Sequence, residues 1–226
     1  GNWRIISPYE SFSFALKHLT RTDFSLYKEA IIRALDDIDP DAIAKSQSFT
    51  LELWENKQKY SNCIKEGLAQ SAILISILGE SHNIDSTNTG NIWIDNMISD
   101  ILHKSNYEWW LSFKVIIPNI AEASPKSFIS FIQDDLLKDK SIIKSIFMEK
   151  KNKDRLFGSN ADYIEILLAL ESLAWQKKYL YSVSMILAEL STIENNDNIV
   201  NKPFDSLIRI YKVWYPETFA NLQERK

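Results

Sequence analysis

Along almost the whole chain, large apolar residues return every third or fourth position, and stretches that alternate polar with apolar are nearly absent. A three-to-four spacing draws one apolar stripe along a helix, whereas a half-buried strand needs a period of two. The punctuation agrees. Five Gly and six Pro in 226 residues are too few for the turn-dense all-β folds. The reading is therefore all-α, with about nine or ten helices.

Boundary signals divide the pattern. Ser7 before Pro8 reads as a cap followed by Pro at the first helical position. A second helix is expected over 23–38, starting at Thr22 or Asp23 and stopped by Pro40, and a third over 50–60. Gly79 suits the end of a helix over 61–79. Pro118 lies inside the apolar run 106–123, so it should kink or split that helix. Ser124 and Pro125 open the next one, Pro203 opens another, and WYPE interrupts the chain before a terminal helix.

Short polar loops between such helices imply stacked antiparallel hairpins, an α-solenoid of the HEAT or TPR kind. An offset of seventy residues aligns Trp109 with Tyr179, Trp110 with Leu180, Phe113 with Val183 and Ile120 with Leu190. Whether this marks a true repeat or two buried amphipathic helices stays open at this level. The chain reads as one all-helical domain over 1–226, with 1–91 and 92–226 as candidate sub-units. The polar helical pattern that closes on NLQERK suggests a segment of a longer polypeptide.

Charge and cysteine content narrow the function classes. The net charge of −4 does not favour a general nucleic-acid or anionic-membrane binder. Cys63 is the one cysteine, so neither an internal disulfide nor a multi-cysteine metal site can form. No apolar run has the length of a membrane span, and the first residues lack a signal-peptide layout. A cytoplasmic setting follows as an expectation.

Candidate chemistry is sparse. His18, His82 and His103 are scattered, and His82 in GESH has no second His or Cys nearby. DDIDPD lacks the alternation and the Gly of a calcium loop. Asp134 and Asp135 are neighbours and do not share a helix face. No phosphate-binding G-x-x-x-x-G-K-[ST] or nucleophile-elbow motif occurs. The expectation is no catalytic residue, no metal and no cofactor.

What remains is a surface for contact. Trp109 and Trp110 cannot both face inward equally on one helix, so one of them is a candidate contact residue unless a second helix layer covers it. Lys144, Lys150, Lys151, Lys153 and Arg155 lie in the densest basic run, 138–155, diluted by acids. Trp175, Tyr179, Leu180, Trp214 and Pro216 are expected to shape the junctions between hairpins. Two alternatives stand beside an interaction module: an all-helical enzyme acting on a small molecule through His82 or Cys63, and a nucleic-acid binder using the basic run.

Three stretches carry a family resemblance: YSNCIKEGLAQS, ALESLAWQKKYLYSVSMILAEL and NKPFDSLIRIYKVWYPETFANLQERK. Together they resemble the helical region of very large bacterial proteins with a P-loop NTPase module, the STAND type implicated in antiviral sensing. The resemblance runs from about residue 3 to the end. It implies a non-catalytic helical segment that senses a ligand or restrains the parent protein, with nucleotide chemistry elsewhere. The implied partner is another protein or another domain of the same chain, rather than a membrane, a nucleic acid or a small substrate.

Overall fold

The computed structural model describes residues 7–47, 58–81, 84, 88–148, 162–193 and 201–225. Among them are twelve α-helices and no strand: α1 (Pro8–Leu16), α2 (Arg21–Leu35), α3 (Pro40–Gln47), α4 (Asn62–Leu78), α5 (Gly90–Lys104), α6 (Tyr107–Ser112), α7 (Ile117–Ala123), α8 (Pro125–Leu136), α9 (Ile142–Met148), α10 (Ile164–Ala174), α11 (Lys177–Ser191) and α12 (Pro203–Tyr211). The protein is all-α, as the periodicity requires.

The helices stack as successive pairs. The pairs are α4 with α5, α7 with α8, and α10 with α11. First members form one layer, in which α2 lies on α4, α4 on α7, α7 on α10, and α10 on α12. Second members form the other, with α8 against both α5 and α11. One apolar core runs through the stack from Leu16 to Ala220, crossing the position between residues 91 and 92 without a break. Helix α12 is therefore the first helix of a fourth step.

This order explains the seventy-residue offset. Trp110 and Leu180, Phe113 and Val183, Ile116 and Ile186, and Ile120 and Leu190 are all buried. Yet α7 belongs to the first layer and α11 to the second. The offset aligns the broken run from α6 to α7 with the single helix α11, and the two bury similar stripes in different places. The stacking unit is the helix pair, and its first helices α4, α7 and α10 recur about every fifty residues.

Several boundaries moved for identifiable reasons. Helix α2 starts two residues before Asp23, because Thr20 is its cap: the Asp23 amide donates to Thr20 Oγ1, and the Thr20 amide donates to Asp23 Oδ2 at 2.7 Å. Pro40 opens α3 instead of merely ending α2. The expected helix 50–60 lies mostly outside the described residues. The apolar run 106–123 does split, and the break falls at residues 113–116, ahead of Pro118. A proline ring clashes with the carbonyl four residues earlier, so Lys114 is where the helix tightens into a 3₁₀ turn.

Gly79 does not end α4 through a left-handed conformation, since its φ is −84°. It is small because α4 and α5 touch there. A Cβ on Gly79 would stand 2.8 Å from the Gly90 Cα. Among the described residues no helix follows WYPE, where a terminal one is expected. Tyr215, just before Pro216, takes φ 55°, and the chain turns back. The Glu217 amide donates to the Arg209 carbonyl and the Phe219 amide to the Trp175 carbonyl, while Thr218 and Ala220 are buried. Those tertiary contacts replace a helical ladder.

Candidate interaction surface

Polar residues inside the stack serve as fasteners. Lys65 is 2% exposed. Its Nζ donates to the Asp37 carbonyl at 3.2 Å, lies 3.6 Å from the Asp37 carboxylate, and sits over the Phe113 ring. The Tyr60 amide donates to the same carboxylate at 2.9 Å. One residue of DDIDPD thus ties α2 to α4 and to the chain entering it. Burial tends to raise the Asp37 carboxyl, but the amides of Tyr60 and Lys59 and the Lys65 ammonium outweigh it and hold it below its usual value of 3.8.

A carboxyl depressed in the folded state adds stability above its unfolded value and loses it as pH falls through the folded one. Asp37→Ala should therefore cost about 3 kcal/mol at pH 7, by leaving the Lys65 charge buried and uncompensated. Lys65→Met, which removes the charge and keeps the packing, should stay within about 1 kcal/mol of the natural chain. Urea midpoints measure both. The gap between the natural chain and Asp37→Asn should hold from pH 7 to about 5 and shrink below pH 4.

Asp135 is another fastener, fully buried at the end of α8 while its neighbour Asp134 is exposed. The α10–α12 joint carries a third. Glu171 accepts from Ser206 Oγ at 2.5 Å and pairs with Arg209, which also reaches Glu217 at 3.4 Å. Among the described residues no three His, Cys, Asp or Glu side chains gather as a metal site. A cleft of about 740 Å³ between α1 and α4 is lined by Pro8, Phe12, Ala15 and Leu74, with Ser11 and Gln70. His18 and Cys63 are exposed, His103 Nδ1 donates to the Ser99 carbonyl one turn back, and His82 lies outside the described residues.

The expected contact residues divide. Trp109 and Trp110 are not at the surface: both are buried, with Trp110 only 2% exposed. Trp110 stacks on Phe131 of α8, its ring centroid 5.6 Å away, and its Nε1 donates to Ser105 Oγ. Trp109 lies against Phe113, in a helix that packs against α3 and α9. The extra layers cover both rings, so the paired tryptophans are core. Lys144 is half-buried and bridges α9 to α11 through Glu189 at 3.0 Å. Lys150, Lys151, Lys153 and Arg155 lie outside the described residues. At the junctions, Leu180 is buried and Trp175 packs edge-on against Phe219. Trp214 instead points to solvent, 81% exposed, because the turn at Tyr215 carries it away from the stack.

The open surface lies at the fourth step. Helix α12 buries Pro203, Ser206 and Ile210. On its other side Phe204, Ile208 and Tyr211, at i, i+4 and i+7, remain 59%, 47% and 38% exposed. Helix α11 does the same, burying Leu180, Val183 and Leu187 while Tyr181 and Met185 face out. The two outer stripes meet where the Ser184 and Tyr211 hydroxyls hydrogen-bond at 2.7 Å. Helices α11 and α12 pack side by side, and exposed apolar residues flanking the groove between two such helices are the kind of surface that a third helix covers in recognition.

No protein-family model, curated protein or solved structure matches this chain.

The groove escaped the sequence reading, although a signal for it exists. PFDSLIRIYKVWY carries apolar residues on both faces of its helix, more than one neighbour can cover. Among the described residues no helix is long and apolar enough to cross a membrane.

Proposed function

We propose that this chain is a non-catalytic helical-repeat module that binds protein, either a separate partner or other domains of its own polypeptide. In line with the resemblance of its three phrases, it serves as a sensing region of a large bacterial NTPase-bearing protein and works in the cytoplasm. The observation that carries the reading is the fourth step of the stack, where two neighbouring helices present outward apolar stripes over a hydrogen-bonded floor. Its polar interior residues are engaged in fastening helices, as Lys65, Asp135 and Glu171 are. Within the basic run, Lys138 and Lys144 pair with Asp135 and Glu189, which leaves less charge for phosphates.

Site-specific photocrosslinking in the natural host tests the module. A photoreactive residue at Tyr181 or Ile208 should trap discrete protein adducts, whereas one at exposed Gln133 on α8 should trap none. Absence of adducts from the groove, or equal labelling from all three positions, would sink the reading. The sensing role makes a further demand: the same reading frame must encode a phosphate-binding loop, and charged substitutions in the groove must alter the parent protein's nucleotide hydrolysis.

A further inference from the structure

We infer that the α11–α12 groove is the seat of an acidic amphipathic helix from a protein partner. This deepens the module reading and rests on it.

Two observations point to a helix with that charge. The first is continuity. Helix α8 lies against both α5 and α7, and α11 lies against both α8 and α10. Each second-layer helix is thus cradled by the previous second-layer helix and by a first-layer helix. Helices α11 and α12 offer the same pair of supports, with Tyr181 and Met185 on one side and Phe204, Ile208 and Tyr211 on the other. An occupant with apolar residues at three- and four-residue spacing repeats a packing mode the fold already uses.

The second is charge. Joints within the stack are sealed by opposite charges: Asp37 with Lys65, Lys114 with Asp162 at 3.0 Å, and Glu171 with Arg209. Around the groove three lysines have no acidic side chain paired with them among the described residues. Lys202 and Lys212 stand at the two ends of the Phe204–Tyr211 stripe, and Lys178 precedes Tyr181 by three residues on α11. Of the nearby acids among the described residues, Glu189 pairs with Lys144, Glu224 with Lys177 and Glu217 with Arg209, while Asp205 caps α12 at the Lys202 amide and is the one acid set against the three lysines. A second copy of α12 would bring like charges together. A helix flanked by Glu or Asp would complete the pattern.

Two synthetic helices test this. Both carry Leu at three- and four-residue spacing; one has Glu on its flanks and the other Lys. The Glu-flanked peptide should bind the chain, more weakly as salt rises, and the Lys-flanked peptide should not. Ile208→Asp and Tyr181→Asp, both at exposed positions, should leave the circular dichroism spectrum unchanged and weaken binding at least about tenfold. The double variant Lys202→Glu, Lys212→Glu should weaken the Glu-flanked peptide about tenfold and admit the Lys-flanked one. Equal binding of both peptides, or of neither, overturns the acidic-helix partner. Groove-specific photocrosslinks obtained with neither peptide binding would retain the module while rejecting this partner. Self-association in sedimentation that Ile208→Asp abolishes would assign the groove to a second copy and overturn the proposal.

Discussion

Gly90→Ala should destabilise the protein by about 2–3 kcal/mol, lowering its melting temperature by roughly 5–10 °C. The direction runs against helix propensity, since Ala is the better helix former and Gly90 begins α5. Packing decides the sign. A Cβ at Gly90 would stand 2.6 Å from the Gly79 Cα and 2.6 Å from the Ile75 carbonyl oxygen. Both are backbone atoms, so relief requires moving α4 away from α5 and loosening the Ile75 and Ile94 contacts of the core. Gly67 provides the control. It is exposed within α4, and a Cβ there meets nothing within 4 Å. Gly67→Ala should stabilise by about 0.5–1 kcal/mol through the unfolded chain. Opposite shifts for the two variants in one calorimetric series would establish the close helix approach. A harmless Gly90→Ala would contradict it.

The second large effect is at Asp135. Its carboxylate, 0% exposed, accepts from Ser141 Oγ at 2.7 Å and from the Ile143 amide at 2.9 Å, with Lys138 Nζ 3.4 Å away. Ser141 in turn accepts from the Lys144 amide. One side chain at the end of α8 therefore holds the first turn of α9, whose amides have no partners within their own helix. Asp135→Ala leaves a buried hydroxyl and a buried amide unsatisfied and should cost about 3–4 kcal/mol. Asp135→Asn keeps an acceptor oxygen and should cost about half as much. Denaturant midpoints give the magnitudes. Hydrogen exchange gives the location: in Asp135→Ala the amides of Ile143 and Lys144 should exchange faster than those of α5, and uniform acceleration would place the damage elsewhere.

Much of the architecture was legible in local pattern. Three-to-four periodicity identifies helices because it is the geometry of one helix touching one neighbour. Pro8, Pro125 and Pro203 mark helix starts because a missing N–H costs nothing at the first position. One stripe per helix has room for only one of the paired tryptophans, and of the two readings this leaves open, an exposed contact residue or a covering second layer, the structure shows the second. In a two-layer stack a helix has neighbours on several sides, so Trp109 and Trp110 can both be core. The groove is the converse case: apolar residues on both faces of PFDSLIRIYKVWY call for a second contact, but local pattern does not say whether the chain itself supplies it, and Tyr181, Met185, Phe204 and Ile208 stay exposed.

Residue order by itself determined the helical class, most helix starts and the lack of a recognisable catalytic motif, because these follow from interactions among residues a few positions apart. Tertiary structure alone decided that Asp37 would meet Lys65, that Gly79 would meet Gly90, and that the stripes of α11 and α12 would lie side by side and uncovered. Those facts depend on which helix face meets which across the stack. Apolar burial favours many such pairings about equally, and close packing with satisfied buried polar groups selects one.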